Sequence, residues 1–265
     1  MGRLEYLGSV PVTTYLQQNQ PAGVPPLELT GERTLPDVPE ENYWFRRHLV
    51  VYRWIAERCA GLRVVDMACG EGYGAAVLAE TAAEVVGVDA NPDAFEHARL
   101  RYRGPNLRFE RALVEEFADG APYDAIVFLQ TIEHVNEPAE LLARFASLLT
   151  PGGVVYVTTP NRLTLAPPGA ERSGNPWHVR EYAPEEFAAL VRPQFGSVHL
   201  LGLFHARKLR AHELAIKAGW DRVHPALGLT QRFYGRFVPA IDERDFALRA
   251  GRLERALDLL AVCRS

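Results

Sequence analysis

Cysteine is scarce in this chain. Cys59, Cys69 and Cys263 are the only three in 265 residues. They form no CxxC pair and no metal-ligand spacing, which argues against a disulfide framework and fits a reducing compartment. Long apolar runs are also missing, so no membrane span is expected. The opening stretch MGRLEYLGSVPVTTYLQQ has no basic segment followed by an apolar one, so no secretory signal is expected and the location it suggests is cytoplasmic. Nor is there an excess of positive charge: 29 Lys and Arg stand against 33 Asp and Glu, a net charge of −4. Nothing global therefore recommends nucleic acid as a partner. No internal repeat or low-complexity block occurs. What remains is an ordinary globular composition, 48% apolar and 23% charged, in a chain long enough to build a core without covalent staples.

Residues 1–42 read as an N-terminal arm. Pro11, Pro21, Pro25 and Pro26 interrupt it and it shows no clear period, so it is either a loose tail or a strap laid over the domain. A helix is predicted over 43–59, with Phe45, His48, Leu49, Tyr52, Ile55 and Ala56 on one face. Strands are then predicted at 63–68, 83–89, 107–112, 124–130, 154–159, 197–204 and 257–263. Amphipathic helices separate most of them, one capped by Asn91 with Pro92 in its first turn. This alternation predicts an α/β chain: a Rossmann-like, seven-stranded, mostly parallel sheet with helices on both faces. The core would span 43–204. Residues 205–256 read as a helical insert or lid covering the acceptor, and 257–265 supply the last strand.

The most informative string is VVDMACGEGYG at 64–74. A strand gives way to a turn holding Gly70, Gly72 and Gly74, and a helix follows. Glycines permit a sharp turn and close approach to a ligand, and the helix start behind them presents free N–H groups. A tight structural turn would also account for the string. So would a dinucleotide fingerprint, since Gly70, Gly72 and Ala75 satisfy GxGxxG/A. Asp89 ends the next strand, where a carboxylate accepts hydrogen bonds from both hydroxyls of an adenosine ribose. Loop and acid together indicate an adenosine-containing cofactor without naming it.

The wider pattern resembles class I S-adenosylmethionine-dependent methyltransferases over about residues 31–204 and the final strand. The matching strings are the DxxxGxGxG loop at 66–74, the acid Asp89, TIEHVNEP at 131–138, LLTPGG at 148–153 and TPN at 159–161. The resemblance implies S-adenosylmethionine as cofactor, held by Asp66, Ala68, Gly70, Gly72, Gly74, Asp89, Ala90 and Gln130, with Tyr52 closing over it or lying in the core. Many members carry Asp or Asn after the third strand to bind adenine. Here Ala112 or Leu113 stands there, so adenine contacts would come from backbone or apolar packing. TGERTLP (30–36), ENYWFRRH (41–48), QTIEHV (130–135) and NPWHVREY (175–182) further resemble sugar-directed O-methyltransferases, including the type associated with methylglucose lipopolysaccharide synthesis. The acceptor this implies is a small molecule or oligosaccharide. A homo-oligomer is compatible with the sequence.

An alcohol acceptor needs a general base or a metal, because its pKa lies far above 7. His134, just after the fourth strand, is the base candidate, although a structural histidine bonded to the fifth-strand turn would look the same. Glu133 is open to three roles: orienting His134, binding a cation, or favouring a helix start. Asn161, Trp177, His178 and Glu181 are candidate acceptor contacts, Trp177 as a flat face for a sugar ring. Glu133, His134 and His178 would also suit a divalent cation such as Mg²⁺ or Mn²⁺. Adjacent residues diverge by about 100° around a helix, so the metal-free arrangement is the expectation. Arg46, Arg47 and His48 read as a solvated helix face. Two rival functions are an NAD(P)-binding epimerase or reductase, which would usually carry a Tyr-x-x-x-Lys pair absent here, and a non-catalytic adenosyl-ligand binder.

Overall fold

A computed structural model describes residues 16–29, 33–167, 170 and 172–265. Residues 1–15 and 30–32, hence the start of the arm and of the TGERTLP string, lie outside the described residues. In chain order the elements are α1 (Asn42–Ala56), β1 (Arg63–Met67), α2 (Tyr73–Ala79), β2 (Glu84–Asp89), α3 (Pro92–Arg101), β3 (Leu107–Arg111), β4 (Tyr123–Leu129), α4 (Pro138–Ser147), β5 (Leu149–Pro160) and α5 (Arg162–Leu165). They continue with α6 (Pro184–Val191), β6 (Ser197–His205), α7 (Arg207–Lys217), α8 (Trp220–Ala226), α9 (Thr230–Phe237), β7 (Phe246–Arg249) and β8 (Asp258–Arg264).

The strands form one sheet in the order β3-β2-β1-β4-β5-β8-β6-β7. Strands β1 to β5 are parallel, and β8 runs antiparallel between β5 and β6. Successive strand residues alternate between two buried faces: Val64 joins a core with α1 and α2, while Val65 joins one with α4 and α6. That is why the strands read as continuous apolar runs rather than alternating ones. Asn91 caps α3 as its position suggests, accepting from the amides of Asp93 and Ala94. None of the described helices is long and apolar enough to cross a membrane.

The sheet has eight strands, not seven. The extra one, β7, falls in the stretch 242–257 whose spacing predicts a helix. It pairs antiparallel with Gly202–His205 of β6, and its Phe246 ring packs 5.6 Å from Tyr43 of α1. Tertiary packing overrides local propensity here. Gly251 and Arg252, both with positive φ, turn the chain after it. The α-helices of the insert, α7, α8 and α9, all lie in its first part, and only short 3₁₀ turns flank β7. These helices gather Trp220, Phe233, Tyr234 and Phe237 into a small aromatic cluster. The insert's root is tied to α1, where the Asn42 amide donates to the carbonyls of Val238 and Ile241.

The described part of the arm is a strap. Leu16 and Glu28 form a short antiparallel bridge, beside which the Gln17 backbone N–H donates to the Leu27 carbonyl. The Gln17 amide and the His97 ring both donate to the fully buried Glu71 carboxylate, and His97 also bonds the Pro25 carbonyl. Tyr102 and Arg101 meet the same carboxylate. A carboxyl inside the glycine loop thus ties residues 16–29 over α3.

Candidate active site

In a mostly parallel sheet, ligand crevices open where the strand order reverses. That point lies between β1 and β4. A cavity of about 570 Å³ opens there, lined by Ala68, Gly70, Asp89, Ala90, Gln130 and Pro160 at the strand ends. Two of these strand-end residues, Ala68 and Gln130, hold left-handed backbone with φ of 57° and 52°. Such strain is retained where a surrounding structure demands it, often at functional sites.

The loop is built around Asp89. One carboxylate oxygen accepts from the Gly70 amide at 2.8 Å and the other from the Asn91 amide at 2.9 Å. Gly72 and Gly74 serve packing instead of ligand approach. A Cβ on Gly72 would stand 2.7 Å from the Ala98 Cβ, and one on Gly74 would collide with the Tyr52 ring. Tyr52 therefore combines its two expected roles: it is buried against α2 and also borders the cavity. Its hydroxyl donates to one oxygen of Asp66 at 3.2 Å. The other Asp66 oxygen is buried with no partner, and burial pushes this carboxyl up to about 8. Asp66 is fully buried and does not itself border the cavity. On the cavity wall, Glu41, Glu71, Asp89 and Glu133 face one guanidinium, Arg33. Ala112 and Leu113 do not border the cavity, and Leu113 is about half exposed.

The acceptor side centres on a 3₁₀ turn at Ile132–His134. Neighbours on a 3₁₀ turn also diverge, by about 120°, so it is the positions of the ligand atoms that decide whether the three side chains converge. Ligand atoms of Glu133, His134 and His178 all lie within 4.8 Å of one another. Glu133 does not orient His134. Its buried carboxyl accepts from the Thr159 hydroxyl at 3.0 Å, and burial pushes it up to about 8. His134 Nδ1 donates to the Trp177 carbonyl at 2.8 Å, which leaves the imidazole lone pair on Nε2. His178 Nδ1 donates to Glu181 at 2.8 Å, and its Nε2 accepts from the Asn175 amide. Glu181 is buried, but hydrogen bonds from Ser173 and His178 outweigh that and hold its carboxyl below the usual range. Glu181 is thus the orienting acid, and it serves His178.

Two expected acceptor contacts lie elsewhere. Asn161 is fully buried, and its amide donates to the carbonyls of Leu253 and Ala256, so it ties the β5 end to the turn before β8. The Trp177 indole is half exposed and outside the cavity wall, where only its carbonyl serves the site. No described residue of the insert borders the cavity either. The wall is completed by one face of α1, Trp44, His48 and Tyr52, with Glu41 just before it. The cluster Arg46–His48 is not a solvated face. Arg47 forms a buried ion pair with Asp258, Arg46 pairs with Glu243, and His48 bonds Thr34, burial pushing its ring down to about 4. Arg33, Thr34, Glu41 and Trp44 escaped sequence reasoning, because each lies outside the strand-end rule. The strings holding them, TGERTLP and ENYWFRRH, were the available signal.

Comparison with known proteins agrees with this geometry. Residues 42–211 match the family described as "Methyltransferase domain". The chain is 43% identical over 184 residues to a "Probable S-adenosylmethionine-dependent methyltransferase" of Mycolicibacterium smegmatis, covering 69% of this chain and 71% of that relative. It is 35% identical over 178 residues to a ubiquinone biosynthesis O-methyltransferase of Albidiferax ferrireducens, covering 61% and 69%. The crystal structure of an S-adenosylmethionine-dependent methyltransferase from Mesorhizobium loti superposes with a TM-score of 0.57 at 18% identity, over 83% of this chain and 98% of that one, a likeness of fold. The glycine loop is accordingly not a dinucleotide site, and this chain belongs to the class I S-adenosylmethionine-dependent methyltransferases, with S-adenosylmethionine as its cofactor.

Proposed function

We propose that the chain is an O-methyltransferase acting on a hydroxyl of a saccharide or related small molecule, with His134 as general base. The observation that carries this reading is that His134 lines the cavity while its Nδ1 donates to the Trp177 carbonyl, the tautomer in which Nε2 is the basic nitrogen. A base is what a hydroxyl acceptor requires. When bound, S-adenosylmethionine supplies a methyl group on a sulfonium, whose departure as a neutral thioether needs no acid. Asp66, Gly70, Asp89 and Gln130 would hold it. His178, aligned by Glu181, borders the same wall and would orient the acceptor. An O-methyltransferase among the relatives supports the reaction type. The matching sugar-directed strings support the acceptor class. A cytoplasmic location fits the few, free cysteines.

The convergence of Glu133, His134 and His178 favours a second reading, in which the three hold a divalent cation that lowers the acceptor hydroxyl's pKa. One experiment separates the two. Purified protein is offered sugars, methylated oligosaccharides, quinols and catechols, and a mass gain of one methyl is scored with and without EDTA. Turnover of a sugar hydroxyl that survives EDTA supports the first reading. Loss in EDTA with recovery in Mg²⁺ or Mn²⁺ supports the second. With primary amines added to the same panel, methylation confined to nitrogen acceptors would refute both.

A further inference from the structure

The stretch 33–41 joins the strap to α1 and precedes the family match, which begins at residue 42. It nonetheless contributes Arg33, Thr34 and Glu41 to the cavity wall. Arg33 is the only Arg or Lys among the described residues of that wall. It makes no ion pair or hydrogen bond among the described residues, whereas Arg46, Arg47 and Arg101 each meet a carboxylate. Its Cβ stands 4.0 Å from where a Gly70 Cβ would be, so the side chain starts beside the glycine loop. Glu41 is likewise without a partner among the described residues. Burial, then the neighbouring Glu40, push it up to about 7. Glu41 and Tyr73, the first residue of α2, both border the cavity. The Thr34 hydroxyl bonds His48 at 2.9 Å and fastens this stretch to the same face of α1.

The amino-acid end of S-adenosylmethionine carries a carboxylate and an ammonium close together. A carboxylate taken out of water needs a charged donor, and the wall has one cation to offer. An ammonium needs an acceptor, and the wall offers Glu41, with the buried unpartnered Asp66 oxygen beneath Tyr52. We propose that Arg33 and Glu41 clamp the two charges of the cofactor's amino-acid end, Arg33 taking the carboxylate and Glu41 the ammonium. The inference rests on S-adenosylmethionine being the cofactor. It makes the stretch before the family domain part of the binding site, and it makes the strap's anchorage a condition of cofactor affinity.

Calorimetric titration of the full chain tests this with three probes. S-adenosylhomocysteine has both charges, decarboxylated S-adenosylmethionine keeps the ammonium, and 5′-methylthioadenosine lacks both. Arg33→Gln should weaken S-adenosylhomocysteine by about 10- to 100-fold, the usual scale for a lost charged hydrogen bond. It should leave the other two probes within about twofold of the intact chain, since neither offers a carboxylate. Glu41→Gln should weaken the two ammonium-bearing probes and spare 5′-methylthioadenosine. Unchanged 5′-methylthioadenosine binding also reports that each variant is folded. Loss of all three probes in either variant would show a structural role and overturn the clamp, as would S-adenosylhomocysteine binding by Arg33→Gln that matches the intact chain. Failure of the intact chain to bind S-adenosylhomocysteine would instead overturn the cofactor assignment.

Discussion

Replacing Asp66 with Asn should stabilise the free protein at neutral pH and weaken its hold on the cofactor. Asp66 is fully buried, one oxygen has no partner, and burial lifts its carboxyl from an ordinary 3.8 to about 8. The folded chain therefore keeps a proton that the unfolded chain releases. Stability from this group is fully present below pH 4 and is lost as pH rises towards 8. Over the two units from pH 5 to pH 7 the loss is about 2.7 kcal/mol, at about 1.36 kcal/mol per unit. Asparagine does not titrate, so the intact chain should lose that amount relative to Asp66→Asn over the interval. The amide hydrogens of Asn carry their own penalty in this pocket, but it is independent of pH and cancels in the difference. Glu41 and Glu133 add slopes of the same sign, and these cancel as well. Urea denaturation of both proteins at pH 5 and pH 7, without ligand, measures the quantity directly. Cofactor affinity should fall by about tenfold or more, because the carboxyl that a nearby ammonium would ionise is gone. A stability difference between the two proteins that is the same at both pH values would refute the reasoning.

Asp89→Ala removes the acceptor of the Gly70 and Asn91 amides, and calorimetry should show S-adenosylmethionine binding weaker by about 1–3 kcal/mol. His134→Ala should lower turnover by about 10²–10⁴-fold with cofactor affinity nearly kept; a fully active variant in a stopped assay would remove His134 from either mechanism. Gly74→Ala drives a methyl into the Tyr52 ring and should cost about 1–3 kcal/mol of stability in thermal or urea unfolding, the range for overpacking a core. Arg47→Ala leaves Asp258 buried without its partner, and unfolding should show a loss of about 3–5 kcal/mol.

The sheet and the glycine loop could be read from sequence because their signals are local. A buried parallel strand is apolar along its whole length, and Asn91, Gly70 and Asp89 act within a few residues of where they sit. What failed depends on distant partners. β7 has a helical spacing and becomes a strand only because β6 offers it an edge and Tyr43 a ring to pack on. Asn161 looked like an acceptor contact from its place after β5, yet its amide is claimed by carbonyls more than ninety positions away. Arg47 looked solvated until Asp258 came to meet it. Gly74 looked like a ligand-facing glycine, and only the three-dimensional packing of α1 on α2 reveals the ring it makes room for. The site divides along the same line. Residues fixed by strand ends, such as Ala68, Asp89, Gln130 and His134, reach the cavity as expected. Arg33 and Glu41 arrive from an arm with no periodicity, and their meaning comes from what they lack. Each is an ionisable side chain on the cavity wall with no described partner, which a zwitterionic ligand would supply.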